Sequence, residues 1–150
     1  KMRFAESGSD KTSQQRLLYW ENGYQMMNDF PLTGVGYFNF RHYYEDYYSE
    51  DMLYSSAQLP HNIFVQVGAD LGYIGLFIYL MLIFSAFSAL SKIGKDTVPS
   101  IFGELSIAFK ISLIGFVVAG QFVSVVYYPF MWVQLAFISC YFNITEGVSK

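Results

Sequence analysis

LGYIGLFIYLMLIFSAFSALS, residues 71–91, runs for 21 residues without a charge. At 1.5 Å per residue a helix of that length is about 31 Å long, enough for a hydrocarbon core of about 30 Å. The stretch predicts a first transmembrane helix over about 71–91. A second uncharged stretch, Ile111 to Thr145, has 35 residues. As one helix it would be about 52 Å long, too long for a single crossing, so it has to turn. The predicted break is Tyr127-Tyr128-Pro129, because proline disfavours helix at the residue before it and tyrosines favour the headgroup level. That gives helices over about 105–126 and 130–144. Lys110 is expected near a helix end with its amine snorkelling to the interface, since a charge at the bilayer centre costs about 2.5 to 3.5 kcal/mol on insertion scales. The predicted fold is all-α: a polytopic membrane protein with about three transmembrane helices, preceded by a largely helical outer segment.

Charge is distributed in the same sense. Residues 1–70 hold nine acids against five bases, and residues 71–150 hold three acids against four lysines. The join near Asp70 divides a water-exposed segment, 1–70, from a membrane-embedded one, 71–150. Lys92 and Lys95 fall in the short connection between the first two hydrophobic stretches, and the positive-inside rule makes that loop cytoplasmic. Residues before Asp70 are then expected on the outer, periplasmic or extracellular, face. Tyr127 to Pro129 returns to that face and the chain ends inside.

Of the 150 residues 53% are apolar and 14% charged, with a mean hydropathy of +0.29, too apolar for an ordinary soluble domain or a disordered chain. A net charge of −3 leaves no broad basic surface, which argues against nucleic acid as a partner. One cysteine, Cys140, excludes an internal disulfide and a cysteine-rich metal site. Lys1 to Ser13 is polar and has no apolar signal-peptide core. The sequence is expected to be the C-terminal portion of a longer protein, inactive by itself.

In the outer segment, Thr12-Ser13-Gln14-Gln15 fits a capping box, and Leu17, Trp20, Tyr24 and Met27 recur at helical spacing. A helix over about 13–28 follows, stopped by Asp29-Phe30-Pro31. Gly34-Val35-Gly36 then predicts a tight turn with positive φ. Without a preceding strand or a third glycine it is not a phosphate loop.

Tyr37 to Tyr54 is dense in tyrosine and acid. One reading is an amphipathic helix lying on the membrane surface or on other helices. The other is a stacking platform for sugar rings, in which Tyr43 and Tyr47 touch substrate. The adjacent pairs Glu45-Asp46 and Glu50-Asp51 point in different directions on a helix, so they are expected to be solvated charge rather than a glycosidase or metal pair.

Pro60-His61-Asn62 stands just before the first hydrophobic stretch. A neutral imidazole at a water boundary can accept a proton from a hydroxyl, although a histidine beside a proline is more often structural. Arg16 has the complementary chemistry, because a guanidinium grips a diphosphate bidentately and neutralises a leaving phosphate. Asn62 and Gln66 are further candidates as polar orienters, with helix capping as their plainer role.

In order along the chain stand Arg16 with Trp20, Met27-Asn28-Asp29-Phe30-Pro31-Leu32-Thr33-Gly34-Val35-Gly36 with Asn39-Phe40, His61-Asn62 with Gln66, and Gly68-Ala69-Asp70-Leu71-Gly72 with Gly75. That combination resembles the core of the O-antigen ligase and Wzy-type polymerase superfamily, by motif over about residues 14–80. The resemblance implies a polytopic glycosyltransferase of the bacterial inner membrane, active on its periplasmic face. Such an enzyme takes a glycan from an undecaprenyl diphosphate carrier and gives it to lipid A core, a growing glycan or a protein hydroxyl. It implies inversion without metal or other cofactor, with His61 and Arg16 as catalytic residues and Asn62, Gln66, Tyr43 and Tyr47 as substrate-binding candidates. Two positions depart from the pattern: Gln15 stands where glycine is frequent, and Asp70 where glutamate is usual. The rival readings are a small-anion transporter with Lys110 and Gln121 lining its path, and an envelope scaffold that uses the tyrosine-rich loop to bind a partner.

Overall fold

The computed structural model describes residues 8–93 and 100–148. Its α-helices are α1 (Gly8–Asp29), α2 (Phe40–Tyr47), α3 (Ile63–Lys92), α4 (Ser100–Ala119) and α5 (Pro129–Val148), with one 3-10 turn at Ser49–Asp51. No strand occurs among the described residues. The chain divides into two compact units, one up to Leu76 and one from Phe77 onward.

In the first unit α1 is free of proline and has Thr12 as its sole β-branched residue, so no proline breaks its 22 residues. It stops before Phe30-Pro31, as expected, because the proline ring disfavours helix at the residue before it. Its start differs from expectation: the helix begins by Gly8, so Thr12 and Gln15 lie inside it and form no capping box. The Thr12 hydroxyl pairs instead with the Tyr54 hydroxyl at 3.0 Å. The buried face also differs. Leu17 and Tyr24 are exposed, whereas Gln15, Tyr19, Asn22, Met26 and Met27 are buried. The reason is a set of side-chain bonds to the 51–58 segment that hydrophobic spacing does not register. The Gln15 amide donates to Asp51 O and accepts from Leu53 N, Asn22 Nδ2 donates to Asp51 Oδ2 at 2.8 Å, and the Tyr19 hydroxyl accepts from Gln58 N at 2.8 Å.

The aromatic run forms α2, and its apolar face rests on α1 rather than on lipid. Phe40 and Tyr44 are fully buried, and Tyr19 meets both rings edge-on at 6.0 and 4.7 Å. Burying two such side chains is worth about 1.5–3 kcal/mol each. Two of the four acids expected to be solvated serve as acceptors: Glu45 takes Ala57 N at 3.0 Å and Arg41 Nε at 3.3 Å, and Asp51 takes Asn22. Asp46 and Glu50 are exposed.

Helix α3 starts at Ile63, eight residues before the uncharged stretch, because Asn62 Oδ1 accepts from Phe64 N and Val65 N and satisfies two of the open donors of the first turn. The helix is interrupted at Gly72, with φ 69° and ψ −173°. The Phe30–Gly36 turn wraps this interruption: Val35 N donates to Ala69 O at 2.8 Å, Gly36 N to Asp70 O at 3.0 Å, and Tyr73 N to Pro31 O at 2.8 Å. Gly34 and Gly36 hold positive φ, as the sequence predicts.

Two helices, Ile63–Lys92 and Ile101–Ala119, are long and apolar enough to cross a membrane. Helix α5 has 20 residues and is not among them. Inside the second unit, α4 ends at Ala119, seven residues before the predicted 126. Gly120 and the β-branched Val123, Val125 and Val126 are poor helix formers, and the end tightens through Gln121 N to Val118 O and Phe122 N to Ala119 O. Pro129 opens α5 at its first position, where its missing N–H costs nothing, rather than closing α4. Lys110 lies at the middle of α4, not near its end, because the helix starts at Ser100. Lys95 lies outside the described residues. A cavity of about 480 Å³ between α4 and α5 is lined mainly by phenylalanines, with Ser112 and Gln134 as its polar members.

Candidate functional site

The site is built where α1 meets the turn before α3. Trp20 Nε1 donates to Pro60 O at 2.8 Å and anchors that turn on α1. His61, the next residue, holds φ at 51°, a left-handed conformation that costs a non-glycine residue about 1–3 kcal/mol. The conformation is held from both sides, by Trp20 on Pro60 and by the Asn62 cap on α3.

Arg16 lies one helical turn before Trp20 on the same helix and acts electrostatically on His61. Burial first, and the Arg16 charge second, push the imidazole below its ordinary 6.5. His61 is therefore neutral at neutral pH and able to accept a proton, beside a permanent cation that can hold an anion. The Nε of Arg16 is buried and makes no hydrogen bond among the described residues, and the same holds for Gln66 Oε1. Gln66 is 1% exposed and sits one turn after Asn62 on α3, with Asp70, wholly buried, one turn further. Asp70 Oδ1 accepts from Phe40 N at 2.8 Å, so this carboxylate fixes the first turn of α2 to α3.

Tyr43 and Tyr47 form a stacked pair, 4.3 Å between centroids and 25° between planes. Tyr43 also meets the Phe30 ring edge-on at 5.8 Å and feels the charge of Asp29. Arg16 and Asp29 are thirteen residues apart on α1, about 20 Å along its axis. Arg16 is thus near enough for its charge to act on His61, and the tyrosine pair lies toward the other end of α1. Asn62 is occupied as a helix cap through Oδ1.

Sequence reading missed Gln15, Tyr19 and Asn22, the side chains that hold the 51–58 segment and hence the His61 turn against α1. Their spacing of 15, 19 and 22 is helical, but mixed polarity hides it from a hydrophobic pattern. No group of three His, Cys, Asp or Glu side chains that could hold a metal gathers among the described residues.

Residues 1–80 match the model of a protein family described as O-antigen ligase. No curated protein and no solved structure matches the chain.

Proposed function

The chain belongs to the O-antigen ligase family, whose activity is glycosyltransferase-like ligation or polymerisation in surface polysaccharide biosynthesis, and on that premise we propose that Arg16 and His61 carry the transfer step. The donor is a glycan on undecaprenyl diphosphate, and the acceptor is a hydroxyl of lipid A core, a growing glycan or a protein. The step takes place at the periplasmic face of the bacterial inner membrane.

The observation that carries this reading is the buried Nε of Arg16, which makes no hydrogen bond among the described residues and lies one turn before the Trp20 that holds the His61 turn on α1. His61 removes the acceptor proton as the acceptor oxygen attacks the anomeric carbon. The bond from that carbon to the diphosphate oxygen breaks, and its electron pair leaves on the diphosphate. The configuration inverts because attack comes opposite the leaving group. Arg16 meets the developing charge with its planar fork, so side-chain cations do the work a metal would otherwise do. Gln66 Oε1 can accept from a sugar hydroxyl, and Tyr43 with Tyr47 offers a face for a ring further along the glycan.

The test compares envelope glycans from the full-length gene and its His61→Ala variant in a deletion host at matched protein levels. Loss of the glycan ladder supports the reading. One repeat on the core identifies a polymerase, a bare core with carrier-linked polymer a ligase, and loss of protein glycans alone a protein O-oligosaccharyltransferase. An unchanged ladder together with unchanged protein glycans overturns it. A second reading, a small-anion transporter, is favoured by one observation, the position of Lys110 at the middle of an apolar helix. It requires anion flux to fall in Lys110→Ala while His61→Ala transports normally.

A further inference from the structure

Phe30 to Phe40 is a run of 11 uncharged residues between Asp29 and Arg41, inside an otherwise acidic segment. Part of it, from Phe30 to Phe38, forms the turn that wraps the Gly72 interruption of α3. Its large side chains face outward: Leu32 is 67% exposed, Tyr37 69% and Phe38 51%. Apolar groups of this size are costly to leave in water, and scattered polar neighbours do not cover them.

The level of the turn is fixed by its backbone. Pro31 O accepts from Tyr73 N, and a Cβ built on Gly72 would lie 2.9 Å from the Leu32 carbonyl carbon. Gly36, just before Tyr37, donates to Asp70 O. Leu32, Tyr37 and Phe38 therefore stand beside residues 70–73, where the last charge of the outer segment gives way to the uncharged span of α3. On α3 itself Tyr73 and Ile74 are exposed, and the Tyr73 hydroxyl donates to Asn28 Oδ1 at 2.7 Å, the arrangement of a tyrosine with an apolar body and a polar tip.

From this we infer that the Phe30–Phe38 turn is seated in the lipid headgroup and upper acyl region of the bilayer, with Leu32, Tyr37 and Phe38 as its lipid contacts. The partner is lipid, because the exposed side chains continue the apolar surface at the start of a membrane-crossing helix. The backbone is prepared for such a place. Gly34 N donates to Phe30 O, Val35 N to Ala69 O, Gly36 N to Asp70 O and Asn39 N to Gly36 O, so these amides need no water. The Asn39 amide closes the turn on Val35 O at 2.9 Å. The seat holds residues 70–73 of α3 at a set depth, and with them the His61 turn about three helical turns away. It rests on the membrane span and not on the transfer chemistry.

The test uses full-length protein lacking other cysteines, reconstituted in phosphatidylethanolamine and phosphatidylglycerol vesicles. An environment-sensitive fluorophore is attached at Leu32→Cys or Phe38→Cys, and at Glu50→Cys as the exposed control. Blue-shifted emission and loss of fluorescence to headgroup-level nitroxide lipid at 32 and 38, but not at 50, support the seat. Quenching of 32 and 38 by aqueous iodide alone overturns it. Shielding from both lipid and iodide overturns it as well, because the turn is then covered by protein.

Discussion

Gly34 and Gly72 meet backbone to backbone: both hold positive φ, and a Cβ on Gly72 would stand 2.9 Å from Gly34 N, while one on Gly34 would stand 2.4 Å from the Asp70 carbonyl carbon. The two glycine-bearing motifs of the family pattern are thus the two halves of one contact. It sits at the interruption of α3 and fixes the loop that precedes α2.

Either glycine changed to alanine therefore disrupts folding more than an ordinary loop substitution. The positive φ alone costs about 1–3 kcal/mol, and the clash is with backbone that cannot rotate away. Gly34→Ala is expected to lower the thermal transition of detergent-solubilised protein more than Gly36→Ala, which carries the strain of a φ of 112° but no clash, its Cβ meeting nothing closer than 3.6 Å. Equal transitions for the two variants contradict the contact as described.

With His61 as the proposed base, the acid limb of glycan transfer is expected to report its titration. In the folded protein its pKa lies below 6.5, so on acidification the unfolded chain takes up the proton first. The stability that neutral His61 contributes is present above pH 6.5 and is lost as pH falls through the lower folded value. Activity follows the same window. Arg16→Gln removes the second cause of the shift, so the limb moves to higher pH, toward an ordinary imidazole, whatever the residual rate. A limb that stays in place separates Arg16 from His61.

Arg16→Lys keeps the charge and loses the fork. Turnover is expected to fall on the order of 10²-fold, the loss seen when one preorganised donor to a developing oxyanion is removed. Steady-state kinetics with carrier-linked donor measure it, and unchanged kcat removes bidentate diphosphate binding from the mechanism.

Tyr47 is largely exposed, and its ring rests on Tyr43. Tyr47→Ala is expected to leave the thermal transition nearly unchanged, as surface substitutions do. If sugar stacks there, KM for the glycan rises about threefold to tenfold, the worth of one aromatic contact of about 0.5–1.5 kcal/mol. Unchanged KM leaves the pair as surface packing.

Gln15→Ala tests the support of the His61 turn. The side chain is buried and bonds both Asp51 O and Leu53 N, so its loss leaves a buried acceptor and donor unmatched, at about 1–3 kcal/mol each. Tyr44→Phe removes the hydroxyl that accepts from Asn22 at 3.1 Å, a bond worth about 1 kcal/mol, and burial pushes that phenol up to about 12. Chemical denaturation of the two variants is expected to rank Gln15→Ala as the more harmful.

The sequence by itself determined the helical class, the apolar span after Asp70, the stop at Phe30-Pro31 and the glycine turn at 34–36. Each of these follows from a run of like residues or from a backbone rule that acts within a few positions. It also carried the family pattern, with Arg16 and His61 in order. Only the tertiary structure decided that Arg16 stands by His61, 45 residues away, that α1 buries Gln15, Tyr19 and Asn22 rather than Leu17 and Tyr24, and that α3 begins at Ile63 and breaks at Gly72. It also began α4 at Ser100, which left Lys110 in the middle of that helix. These outcomes rest on hydrogen bonds between side chains and distant loop backbone, and on contacts between backbones. Neither kind leaves a period in the sequence, because the partner of each bond is chosen by where the chain returns.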